Sequence, residues 1–275
     1  MTQSDAASRT IGAGNAAFSY REAGSGPPLV LLHGIGSAAA SFRCQLHGLA
    51  ARFRVVAWDA PGYSDSLPLA AEHPDAGDYA AALEAWLGAL GIERCHIVGH
   101  SLGTLIAARF AAEQPKHVIT LTLSAIAAGH GRLPPSERQR LLAQRLDDLA
   151  ALGARGMAAQ RGPRLLGPDA TEKTRRWVIE TMACIRPAGY AQAARMLSTG
   201  DIEADLARLP AELPIQVIVG ETDAITPPAI CLRIAAVCRG APANVIPGAG
   251  HALYLEKPQI FNRLLADFAL AHPSD

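Results

Sequence analysis

The chain has 275 residues, 49% of them hydrophobic, and its 25 basic residues balance 25 acidic ones. That length and apolar content suit one large α/β domain with room for an insertion, and they exclude a disordered chain. Zero net charge leaves no electrostatic footprint for nucleic acid or an anionic membrane surface. Met1–Thr10 is polar and lacks the apolar core of a signal peptide, and the apolar run Leu29–Leu32 ends at His33-Gly34, far short of a bilayer span. The five cysteines are an odd number without Cys-x-x-Cys spacing and read as thiols of a reducing cytoplasm.

Ala17–Glu22 reads as an early strand, followed by a Gly/Pro turn at 24–28. Leu29–Leu32 is a continuous apolar run, the pattern of a strand buried on both faces of a parallel sheet. It ends in His33-Gly34-Ile35-Gly36-Ser37, where glycines permit a tight turn with N–H groups aimed at a ligand. Phe53–Trp58 is the next strand, broken by Asp59-Ala60-Pro61-Gly62, and Asp78–Leu90 has helical apolar spacing that Gly91 ends. Cys95–Val98 is a strand, Leu102–Ala112 a helix and His117–Leu123 a strand. The alternation predicts a mostly parallel sheet with helices on both faces, an α/β fold.

From Gly129 to Thr199 the β signal disappears. Leu141, Leu142, Arg145, Leu146, Leu149 and Leu152 share one helix face; Trp177, Val178, Met182 and Ile185 suggest another. Gly162-Pro163 and Gly167-Pro168 are expected to break the region into short helices. Residues 129–199 are therefore expected to form a helical cap inserted into a core of residues 1–128 and 200–275. Strand Ile215–Val219, helix Pro228–Cys238, strand Ala243–Ile246 and helix Ile260–Leu270 resume the alternation.

Gly99-His100-Ser101-Leu102-Gly103 lies between a predicted strand and a predicted helix. Such a turn holds its central residue in a strained conformation and exposes that side chain, and it needs small residues two positions away. Ser101 is the candidate nucleophile. A serine hydroxyl needs a base, and the base an orienting carboxylate. In an open α/β sheet those groups lie at the carboxyl ends of strands. Asp223 follows the strand Ile215–Val219 and is preferred over its neighbour Glu221, because it has cleared the turn. His251, of nine histidines, combines a strand end, flanking glycine and the correct chain order. His100, within the turn, is expected to line the pocket.

The order serine, aspartate, histidine resembles that of the α/β-hydrolase superfamily. His33-Gly34-x-Gly36 looks like its oxyanion loop, and Gly248-x-Gly250-His251 with Glu256-x-Pro258 like its histidine segment. Asp59-x-Pro61-Gly62 resembles a family turn, with Ser64 where relatives often have glycine. The resemblance implies an oxyanion hole from the backbone N–H groups of Ile35 and Leu102, and a structural role for His33. The Pro187–Tyr190 segment and the region at Asp201 look similar to lids of bacterial enol-lactonases of aromatic-acid catabolism. Haloalkane dehalogenases and epoxide hydrolases place aspartate where this chain has Ser101. Carbon–carbon bond hydrolases of ring-cleavage products share the scaffold and are the alternative activity, although they often have tryptophan soon after the histidine, where this chain has Ala252-Leu253-Tyr254.

Residues 129–199 hold twelve basic and six acidic residues. Either this charge is the solvated face of Ala/Leu-rich helices, or it favours a carboxylate-bearing substrate. Arg186 and Arg195, flanking the apolar helix near Trp177 and Met182, are the inward candidates. The expected activity is hydrolysis of a small ester or lactone by a serine enzyme with no metal or organic cofactor. A rival of another class is a ligand-sensing receptor on the same fold, which stalls after about one turnover.

Overall fold

The computed structural model describes residues 6–238 and 240–273, so part of the polar stretch Met1–Thr10 lies outside the described residues. The elements in order are β1 (Ser8–Ala13), β2 (Ala16–Ala23), β3 (Pro28–Leu32), α1 (Arg43–Gly48), β4 (Arg54–Trp58), α2 (Ala76–Ala89) and β5 (Cys95–His100). Then come α3 (Leu102–Glu113), β6 (Val118–Ser124), α4 (Pro135–Arg161), α5 (Glu172–Ala183), α6 (Pro187–Thr199) and α7 (Ile202–Leu206). The chain closes with β7 (Ile215–Gly220), α8 (Pro228–Val237), β8 (Ala243–Ile246), α9 (Leu253–Glu256) and α10 (Pro258–Leu270).

The strands form one sheet in the order β1-β2-β4-β3-β5-β6-β7-β8. β2 pairs antiparallel with β1 and β4, and every pairing from β4 to β8 is parallel. Strand periodicity divides the core into two layers. On β3, Val30 and Leu32 join one apolar cluster and Leu29 and Leu31 the other; on β4, Val56 and Trp58 oppose Val55 and Ala57. Each such aliphatic side chain contributes about 1.5–3 kcal/mol by burial, which locks the register of the central strands. Their carboxyl ends, and the loops that leave them, are thereby fixed along one edge of the sheet.

Several boundaries differ from the sequence expectation. α2 begins two residues before Asp78, because Asp75 caps it: its Oδ1 accepts the N–H of Gly77 (2.7 Å) and Asp78 (3.2 Å), and Asp78 Oδ2 accepts the N–H of Asp75 (2.8 Å). Between β6 and β7 the helices break at Gly162-Pro163 and Gly167-Pro168, as expected, and additionally at Gly153 (φ 60°, ψ 179°), which divides α4 into two helical segments before a short 3-10 turn at Gly162–Leu165 and helices α5 and α6. The break at Gly153 ends the leucine face early, so Leu149 is buried whereas Leu152 is exposed. Among the described residues no helix is long and apolar enough to cross a membrane.

Candidate active site

Ser101 is the single residue between β5 and α3, at φ 52° and ψ −119°. A side-chain-bearing residue in this region costs roughly 1–3 kcal/mol and persists only where its surroundings over-determine it. Here the Ser101 N–H donates to Ser124 O (2.9 Å), and Ser101 O accepts from the N–H (2.9 Å) and Oγ1 (2.6 Å) of Thr104. The flanking glycines are steric requirements. A Cβ on Gly99 would stand 2.5 Å from the Gly103 carbonyl oxygen, and one on Gly103 2.3 Å from that of Leu32. The loop after β3 runs against the serine so closely that a Cβ on Gly34 would lie 2.8 Å from Ser101 Cβ.

Asp223 follows β7 and His251 follows β8. His251 Nδ1 stands 2.8 Å from Asp223 Oδ2. That oxygen also accepts Thr226 Oγ1–H (2.8 Å), while Oδ1 accepts the N–H groups of Ile225 (2.8 Å) and Thr226 (2.9 Å). Burial alone would raise the Asp223 carboxyl; the hydrogen bond from His251 and the backbone donors outweigh it and hold the group below the usual carboxylate range. An ionised carboxylate only accepts, so His251 Nδ1 carries the proton and Nε2 presents a lone pair. Glu221 is engaged elsewhere, accepting the Gly248 N–H at 2.8 Å. Thr226 is a site residue the sequence reading passed over. Glu256, of the histidine segment, accepts the N–H groups of Gly250 (3.0 Å) and Gly167 (2.7 Å) with its two oxygens and so braces the loop before His251.

Ser101 and His251 line a common cavity of about 480 Å³, together with Ile35, Leu102, His100 and Met182. The His100 ring packs 4.9 Å from that of His251 and 4.7 Å from that of Tyr254. Burial, with the neighbouring His251, pushes His100 well below the ordinary histidine value, so it is neutral at physiological pH. Leu102 opens α3, where the first N–H groups have no partner in their own helix. The Gly34–Ile35 peptide is held at its carbonyl by two donors, the Ser37 N–H (3.1 Å) and His33. His33 Nε2 accepts the Ala60 N–H (3.0 Å), so Nδ1 bears the hydrogen and donates to Gly34 O (2.8 Å). In a planar trans peptide the N–H points opposite the carbonyl, so anchoring Gly34 O turns the Ile35 N–H away from His33.

Three expected pocket residues are not among those lining the cavity. Trp177 is half-buried, its ring covered by the Arg43 guanidinium at 4.1 Å. Arg186 is exposed, and its Nη1 donates to Ser64 O at 2.8 Å. Arg195 is out of phase on α6, where Tyr190 and Leu197, two turns apart, face the cavity. The arginines that do line it are Arg145, Arg161 and Arg164. The available signal was Arg145 within an otherwise leucine stripe.

Residues 27–258 match the alpha/beta hydrolase fold family. A protein of Variovorax paradoxus (strain S110), provisionally named as the carbamate hydrolase RutD, is 32% identical over 254 residues, covering 88% of this chain and 91% of that one. The acetyltransferase component of the Pseudomonas putida acetoin cleaving system is 29% identical over 90% of this chain, which spans only 64% of that protein's length. Among solved structures, a thermophilic esterase of Thermogutta terrifontis superposes with TM-score 0.86 at 22% identity, covering 98% of this chain and 100% of that one. The enol-lactonase of Burkholderia xenovorans LB400 superposes with TM-score 0.84 at 20% identity, covering 94% and 99%. At those identities the superpositions speak for the fold alone, whereas the match over residues 27–258 assigns the family: the chain belongs to the α/β-hydrolase fold family.

Proposed function

We propose that the protein is a serine hydrolase cleaving small carboxylic esters or lactones through an acyl-enzyme. The observation that carries this reading is the strained Ser101 sharing a cavity with His251, whose Nδ1 is held by Asp223 at 2.8 Å. His251 Nε2 takes the Ser101 Oγ proton as the oxygen attacks the carbonyl carbon. The negative charge that develops on the carbonyl oxygen is met by the N–H groups of Ile35 and Leu102, the second at a helix amino terminus, where the dipole favours an anion. The imidazolium, stabilised by Asp223, returns the proton to the departing alkoxide, and the alcohol leaves. Water then attacks the acyl-enzyme by the same relay, releasing the acid and free Ser101.

Residues 129–199 serve in this reading as the cap that closes the cavity and shapes the acyl pocket. The cytoplasmic assignment rests on Cys95, Cys184, Cys231 and Cys238, which form no disulfide among the described residues. Steady-state hydrolysis of a short aryl ester by wild type and Ser101→Ala tests the proposal. Repeated turnover that drops by about 10⁴-fold or more in the variant supports it. Turnover that survives in Ser101→Ala refutes it, and a wild type that stops after one equivalent supports the ligand-sensing rival.

A further inference from the structure

The cavity over Ser101 is lined by three arginines and, among the described residues, by no aspartate or glutamate. Two of the three are accounted for: Arg161 Nη2 pairs with Asp148 Oδ2 at 2.5 Å, and Arg164 is exposed to solvent. Arg145 is half-buried on α4 and has no hydrogen bond or ion pair among the described residues. On the same cavity wall, Nδ1 of His130 is buried with no hydrogen-bond partner. The His130 backbone is fixed by its N–H donating to Leu197 O at 3.0 Å. Burial first, and then the adjacent Arg145 charge, hold His130 below the ordinary histidine value, so the ring is a neutral hydrogen-bonding group beside a cation.

A half-buried cation and an orphaned imidazole nitrogen on residues that line the cavity together with the apolar Met157, Val178, Met182 and Leu197 are costly unless a ligand compensates both. We propose that Arg145 and His130 form a carboxylate-binding subsite, so that the preferred substrate carries a free carboxylate in addition to the bond that is cleaved. The identity of that bond rests on the serine-hydrolase reading; binding of the anion does not. A carboxylate suits the pair because its two oxygens match a guanidinium fork and leave a lone pair for the imidazole N–H. Its single charge matches the one half-buried cation of the lining without a direct ion pair among the described residues, whereas a phosphate monoester brings close to two.

The test uses pairs of equal chain length that differ only in the distal group. Hydrolysis of monomethyl adipate is compared with that of methyl hexanoate. Calorimetric binding of the non-hydrolysed monoamide of adipic acid is compared with that of hexanamide. Each is run with wild type, Arg145→Met, Arg145→Lys and Arg140→Met, the last removing an exposed charge from the same helix. Wild type prefers the carboxylate member of each pair by roughly 10- to 100-fold. Arg145→Met abolishes that preference through KM and Kd, bringing the carboxylate member down to its neutral partner; Arg145→Lys restores part of it, and Arg140→Met leaves it unchanged. Equal treatment of the two members by wild type, or an equal loss in Arg145→Met and Arg140→Met, overturns the subsite. If adipic monoamide binds with the predicted preference and neither ester is cleaved, the subsite stands and the esterase reading falls.

Discussion

Replacing Asp223 by asparagine keeps the shape of the residue and inverts one hydrogen bond, and the structure dictates which. Oδ1 accepts two backbone N–H groups, from Ile225 and Thr226, and neither donor can be reversed. The amide oxygen of Asp223→Asn must therefore occupy the Oδ1 position, and its NH₂ must occupy Oδ2, 2.8 Å from both Thr226 Oγ1 and His251 Nδ1. The threonine hydroxyl rotates to accept, and His251 must accept as well, which moves its proton to Nε2. An Nε2–H imidazole cannot take the Ser101 proton. The equivalent substitution in the well-studied serine protease triad lowers kcat by about 10⁴-fold, and a comparable loss, about 5 kcal/mol in the barrier, is expected here. The assay is kcat/KM on a short aryl ester at pH 7, with ¹⁵N chemical shifts of His251 reporting the tautomer. A folded Asp223→Asn protein within tenfold of wild type, or one whose His251 keeps its proton on Nδ1, would refute the reasoning.

His33→Ala removes one of the two hydrogen bonds that hold the Gly34 carbonyl, leaving that from the Ser37 N–H (3.1 Å), and so loosens the orientation of the Ile35 N–H; kcat on a short aryl ester is expected to fall about 3- to 10-fold with KM little changed, well short of the loss of a whole oxyanion donor. A drop confined to KM would argue against that role. His96 is buried, its Nδ1 2.9 Å from Thr120 Oγ1, and burial lowers its pKa to about 4 from 6.5. Between those values the unfolded chain binds the proton and the folded one does not, so stability is lost as pH falls below 6.5, by about 2 kcal/mol at pH 5. Thermal unfolding at pH 7.5 and pH 5 should show a smaller fall in Tm for His96→Asn than for wild type; equal falls would contradict the sign.

Legibility in the sequence followed how local the cause was. Leu29–Leu32 advertises a doubly buried strand because alternate side chains serve both core layers. The turn at Ser101 is legible because its geometry has no room for a Cβ at Gly99 or Gly103. The edge strand β1 carried no signal, since its residues are exposed apart from the half-buried Ile11 and Ala13. The apolar pattern marked the interior face of helix α5 through Val178 and Met182, but helical phase and the break at Gly153 decide which cationic side chains reach the cavity. A count of arginines could not separate Arg145, which lines the cavity, from Arg186, which binds the Ser64 carbonyl outside it.

The central claim is that Ser101 forms the covalent bond to substrate, and labelling with an aryl alkylphosphonate tests it most directly. The account predicts one phosphonyl group per chain, on the peptide containing Ser101, with hydrolysis lost in proportion to labelling and no label in Ser101→Ala. Label on another residue, or hydrolysis that persists in fully labelled protein, would contradict it.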